Sequence, residues 1–590
     1  MKMNHNINWR AMLKVSGIVM MAALTMNLNA DTYTLNGETL ADGGTVAWDS
    51  SATYWLLNGT ATTLLPQGGA DVVIDNATGA DPLVFTYGFG GTAAGVGNVD
   101  RNSLTISDSV TLKVTSGNRI GYTTMTNRGL MEVTVSRSIA GNAAGNQNVT
   151  LTNSGTFRLG AGATLTLRTN SITNTGGLID VGSGATFSLG SGNGNGGISG
   201  GALNVADGAT FTNGADVNGT ALLSGVAIDN VGVTVVSQVG GLSGNRVLQH
   251  TATNGVFNNT GTVVVSQGTT HNFTNANSTH TVTFTQSGAN VFTNSGVVSV
   301  LNESVTSLDY LVAGVNFTVA NNSAADGKFT NDGRIDIRNN ARGANTGTTY
   351  ARFTVNNGAD FTNTGTINVA LGDDTTDDAL HTATLFINTD WTNTGAITVD
   401  RANKALATAS FELNGKVYTQ TGAGSEMRLL NGGQLKAVRL NINGGTLGGA
   451  GVITGTTTIN SGATLDPDGT LTLDSLIMNE GSILNFSAAA DDFLQINGNL
   501  NFNGATLTLT DYLGGDPLLL ATYTGDLLGQ NLNVSAIPDA VLDFDIIGKN
   551  IYLSIIPEPA PSFLLLLGGI ILALTVRRRR RAGGVTGDSR

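Results

Sequence analysis

The sequence predicts an all-β chain: a parallel β-helix solenoid with terminal caps, followed by a C-terminal transmembrane helix. Three observations predict it. The first is a phrase, Phe361-Thr-Asn-Thr-Gly365-Thr-Ile367-Asn-Val369, that reads strand, tight turn, strand, with Phe361, Ile367 and Val369 at period two. It returns at Leu151–Gly155, Ile172–Gly176, Phe292–Gly296, Phe329–Gly333 and Trp391–Gly395. The second is the phrase Gly-Ala-Thr-Leu/Phe at Gly162, Gly184, Gly208, Gly462 and Gly504. Asn153 to Asn174 is 21 residues, Gly162 to Gly184 is 22, and Gly462 to Gly504 is 42, twice 21. A short β-rich period with no helix between copies means coils that stack, at one coil per about 21 residues, because a single coil cannot bury its own apolar side. Asn363 and Gly365 are residue types that enter left-handed backbone cheaply, so the phrase is read as a left-handed corner. The third observation is an apolar run closed by a block of arginines at the C-terminus.

Composition agrees. Of 590 residues, 80 are Gly, 8 are Pro and none is Cys, while 40% are apolar and 12% charged. That apolar share supports a large core, so low complexity here is not disorder. Without the three basic residues of 1–30 and the six Arg and Asp588 of 577–590, 20 basic and 41 acidic residues remain, a net −21 over residues 31–576. An acidic body with scattered cations argues against nucleic acid as a partner. A cysteine-free chain suits an exported protein stabilised by a long stack.

Taken in order, residues 1–30 read as a signal peptide. Lys2, Arg10 and Lys14 precede the apolar stretch Val15 to Leu24, and signal peptidase is expected to cut after Ala30. Residues 31–100 lack the repeat and are expected to form an N-terminal β-rich cap; Trp48 and Trp55 either complete that cap or stack on a sugar. Residues 101–510 carry the solenoid repeats, with loop insertions expected where the copies spread apart between Asn213 and Asn393. Gly190 to Gly197 lacks the helix and Lys-Ser/Thr of a phosphate loop and reads as a surface turn. Residues 511–556 supply capping strands around Gly548-Lys549-Asn550, and 582–590 form a cytoplasmic tail.

Two stretches resemble known families. Gly444-Gly-Thr-Leu-Gly-Gly-Ala-Gly-Val-Ile453, then Gly462-Ala-Thr-Leu-Asp-Pro-Asp-Gly469 and Leu471-Thr-Leu473, resemble the autotransporter-associated β-strand repeat over residues 430–510, with one extra residue in the Pro467-Asp468-Gly469 step. The resemblance implies a right-handed β-helix of the kind found in surface adhesins. At residues 557–581, Pro557, Glu558 and Pro559 precede the apolar run Phe563 to Val576 and then Arg577, Arg578, Arg579, Arg580 and Arg581. That order resembles the PEP-CTERM sorting signal. It implies recognition by an exosortase-type membrane transpeptidase and cleavage near Pro557-Glu558-Pro559. Five arginines place the chain end in the cytoplasm and the solenoid outside; the resemblance implies the envelope of a Gram-negative bacterium, with release or attachment at the cell surface or in the extracellular matrix.

No catalytic set emerges. Asp373, Asp374, Asp377 and Asp378, followed by His381, form the densest acidic cluster, a weak candidate for Ca²⁺ without the glycine and terminal glutamate of an EF-hand. His250 and His271, 21 apart, would stack on adjacent coils if the period held. No cofactor is expected. The reading is a non-catalytic, adhesin-like or structural envelope protein, associated with extracellular polysaccharide. Two alternatives are a β-helix polysaccharide lyase or glycoside hydrolase, and a carbohydrate-binding surface module.

Overall fold

A computed structural model describes the short strands between residues 10 and 87, residues 101–555 apart from connections such as 141–148, 190–196, 239–245, 268–278, 305–311, 321–327 and 343–347, and residues 570–578. The described chain is nearly all strand. It divides into two compact units, Met1–Leu440 and Asn441–Arg590.

Over most of the first unit, from about residue 119 to residue 420, a coil is three strands, and strands pair in parallel with the strand three places further along. Thr348–Val355, Asp360–Asn363 and Thr366–Leu371 make one such coil; they lie in register on Val312–Val319, Lys328–Asn331 and Arg334–Asn339 of the coil before. Every other side chain points inward. Phe361, Ile367 and Val369 are buried as the alternation predicts, on Phe329, Ile335 and Ile337. The interior is therefore a set of vertical stacks. Phe257, Phe292 and Phe329 have ring centroids 4.5 and 4.6 Å apart, and the column continues through Phe361 to Trp391. Such pairs add about 0.5–1.5 kcal/mol each beyond their area burial.

The coil is not uniformly 21 residues long. Successive ladder asparagines are 21 residues apart at Asn153–Asn174 but 35 at Asn259–Asn294 and 37 at Asn294–Asn331. Part of the added length goes into longer strands, 9 residues in Thr279–Ser287 against 5 in Thr169–Thr173, and the three-strand frame persists through the insertions expected between Asn213 and Asn393.

The corners correct the sequence reading. Asn363 and Gly365 are not left-handed; of the quoted copies of that phrase Gly176 alone has positive φ, at 74°, whereas the Gly-Ala-Thr phrase has it at Gly162, Gly184 and Gly208, with φ 70°, 68° and 70°. Gly365 is glycine for another reason. A Cβ there would collide with the Gly333 carbonyl oxygen, which accepts the Thr366 N–H of the next coil. Gly296, Gly333 and Gly395 face the same constraint from the glycine one coil earlier.

Asn363 is instead a core residue, 1% exposed. Its Nδ2 donates to Asn393 Oδ1 at 2.8 Å, while its Oδ1 accepts from Asn331 Nδ2 at 2.6 Å. The ladder runs Asn230, Asn259, Asn294, Asn331, Asn363, Asn393, and ends where Asn393 donates to the Tyr418 hydroxyl at 3.2 Å. Burial raises the Tyr418 pKa well above its ordinary value, so the phenol stays protonated and donates onward to Gln420 Oε1. A shorter ladder joins Asn127, Asn153 and Asn174. The coil spacing of about 4.8 Å suits an amide, whose length spans one rung as donor and acceptor at once.

In the second unit, Gly445–Ile459, Ala463–Pro467 and Thr470–Asn479 pair in parallel as shorter coils. The doubled 42-residue interval resolves into Gly462, Gly481 and Gly504, all with positive φ. Parallel pairing then stops: Ala540–Asp545 and Asn550–Ile555 form an antiparallel hairpin, and Leu518–Tyr523 pairs antiparallel with its second strand. At the other end of the chain, Thr32–Leu35, Trp55–Leu57 and Thr60–Thr62 are also antiparallel neighbours. Of the apolar run expected to span a membrane, 570–578 are helical. No helix among the described residues is long and apolar enough to cross a membrane.

Candidate functional site

Among the described residues the interior is filled by stacked side chains, which leaves outward-facing positions open to a ligand. On the third face of the coils these are mostly small or aliphatic: Val233 and Val235, then Thr262 and Val264 on the next rung. The strand Arg334–Asn339 breaks that pattern with Arg334, Asp336 and Arg338 at period two. Around it lies a surface groove of about 420 Å³. Ser299, Leu301 and Glu303 line one flank from the preceding coil, and Asn368 and Ala370 line the other from the following coil. Its size falls within the range of small-ligand sites, about 300–1,000 Å³.

Its polar groups are held in an ordered set. Arg334 pairs with Asp336 at 2.7 Å, and the second Asp336 oxygen accepts from Asn368 Nδ2 at 2.9 Å. Arg338 Nε donates to Asn340 Oδ1 at 2.8 Å. The Asn340 amide lies against Gly372, where any Cβ would strike it, so that glycine is what admits the side chain. Glu303 makes no side-chain hydrogen bond or ion pair among the described residues. With Asp336 held on both oxygens, Glu303 is the carboxylate left open among the described residues that line the groove.

The sequence-expected candidates fall elsewhere. The Asp377 carboxylate accepts the backbone N–H groups of Leu406 at 2.6 Å, Ala405 at 2.8 Å and Ala407 at 3.0 Å. Those bonds, Leu406 first, hold its pKa below the usual carboxylate value. Asp373 contributes its carbonyl oxygen to Lys404 Nζ. Asp374 and Asp378 lie outside the described residues. His381 is buried, with its Nδ1 against the Thr349 hydroxyl. Among the described residues no group of three or more His, Cys, Asp or Glu is placed to hold a metal ion.

His250 pairs in register with Ala221 and Phe284, because its coil is longer than 21 residues; His271 lies outside the described residues. Trp48 also lies outside them, and Trp55 is placed only as part of a strand. Pro557, Glu558 and Pro559 and Arg579 to Arg581 lie outside them too, while Arg577 and Arg578 end the helical stretch.

The groove residues were missed by sequence reading, although a signal exists. Three charged residues alternate over Arg334-Ile-Asp-Ile-Arg338 in a chain only 12% charged. Neither a scan against protein-family models nor a search of curated proteins returns a match to this chain.

Proposed function

We propose that this chain is an exported, non-catalytic β-solenoid of the bacterial envelope, structural or adhesive in role and in contact with extracellular polysaccharide. The observation that carries it is the use of the interior: stacked aliphatic, aromatic and asparagine columns fill it, which leaves extended outward faces of Thr, Ser, Val and Asn for contact. The PEP-CTERM-like end supplies the address. In that reading, signal peptidase removes 1–30, the run 563–576 holds the chain in the inner membrane with Arg577 to Arg581 cytoplasmic, and an exosortase-type transpeptidase acts near Pro557-Glu558-Pro559. The helix 570–578 supports this, since Ile570, Ile571, Leu572, Leu574 and Val576 are all exposed and would be poorly placed in water.

The test is deletion of residues 557–590 followed by fractionation of the producing cells. Loss of the protein from the envelope is expected. Unchanged envelope localisation would defeat the sorting reading, and release of sugars from a polysaccharide by the purified chain would defeat the non-catalytic one.

A further inference from the structure

We infer that the groove over Arg334–Asn339 is a binding site for a neutral glycan, seated between the Glu303 carboxylate and the Arg338 guanidinium. The inference adds a ligand site to the envelope reading and does not depend on export. Leu301 pairs with Arg338 and Asn302 with Asn339, so Glu303 sits opposite Asn340 and diagonal to Arg338. With strands about 4.8 Å apart and a rise of about 3.3 Å per residue that diagonal is about 8 Å, and the two charges form no ion pair. The Arg338 fork is already oriented by the Nε bond to Asn340, which leaves its terminal nitrogens for a ligand.

A gap with donors on one side and an acceptor on the other selects its occupant. A ligand carboxylate would satisfy Arg338 but face Glu303 within an acidic body. A ligand amine would satisfy Glu303 but face Arg338. A hydroxyl accepts from the guanidinium and donates to the carboxylate, so adjacent sugar hydroxyls fit both partners at no charge cost. Arg334 and Asp336 neutralise each other beside it. Leu301 and Ala370 offer aliphatic surface to the C–H face of a sugar ring.

The experiment is calorimetric titration of the full-length chain with cellohexaose, maltohexaose and laminarihexaose, with hexagalacturonate and a chitosan hexamer as charged controls. At least one neutral hexamer is expected to bind saturably, with an affinity insensitive to added salt. Arg338→Ala and Glu303→Ala should each weaken it about tenfold or more, the effect of losing one hydrogen bond to a charged group. Ala370→Phe, which keeps both charges and fills the groove from its flank, should abolish it in a protein whose circular dichroism is unchanged. The inference is overturned if no neutral hexamer binds, if only a charged one does, or if binding survives Ala370→Phe. Shortening of a bound hexamer would overturn the non-catalytic reading while leaving the groove as the site.

Discussion

Asn363→Ala tests whether the asparagine ladder holds the coils together. The substitution removes two buried amide bonds, from Asn331 at 2.6 Å and to Asn393 at 2.8 Å. It also leaves the buried Asn331 amide hydrogen short of a partner, at about 1–3 kcal/mol, and leaves the Asn393 oxygen with only the Gly395 N–H at 3.3 Å. Asn331 Nδ2 keeps only long contacts, 3.4 Å to Thr366 O and 3.5 Å to Gly333 O, which recover little. The expected loss is about 2–5 kcal/mol. Because a solenoid is stabilised coil by coil, the loss should appear locally. Native-state hydrogen exchange should speed in 328–339 and 391–400 by orders of magnitude, with coils near Asn153 unaffected. Guanidinium unfolding should show the same variant melting earlier. Thr362→Ala, one residue away and exposed, is the control and should change stability by under about 0.5 kcal/mol. If Asn363→Ala matched that control, the ladder would be an ornament of the sequence and the argument for it would fail.

Two further predictions follow from the corners and the acidic loop. Gly162→Asn should be nearly neutral, because nothing lies within 4 Å of a Cβ there and Asn tolerates φ 70°; Gly365→Asn should fail to accumulate as folded protein, since its obstacle is the Gly333 carbonyl. Equal outcomes in thermal melts would refute the two-mechanism account. Asp377→Asn should weaken the loop where Asp377 meets the N–H groups of Ala405 to Ala407. The folded pKa is lowered, so the stabilisation is present above the unfolded carboxyl value of about 3.9 and is lost as pH falls through the folded value. Limited proteolysis near Ala405 should therefore separate wild type from variant at neutral pH, and the difference should close in acid; a difference that widened in acid would reverse the assignment.

The sequence by itself determined the architecture. Alternation at Phe361, Ile367 and Val369 orients a strand, and recurrence of the phrase demands stacking, because both are local consequences of backbone geometry and the need to bury apolar surface. It also marked which interval hid a coil, Gly462 to Gly504, since a glycine corner is legible one residue at a time. Only the tertiary structure decided what the repeated Asn and Gly are for. Asn363 as a rung and Gly365 as a close approach are relations to Asn331, Asn393 and Gly333, residues about 30 positions away in the chain. Register likewise put His250 on Ala221 and Phe284, and brought Glu303, Arg338 and Asn368 onto three consecutive rungs. Variable loop lengths erase that register from any fixed spacing, which is why the groove became visible only once the coils were stacked.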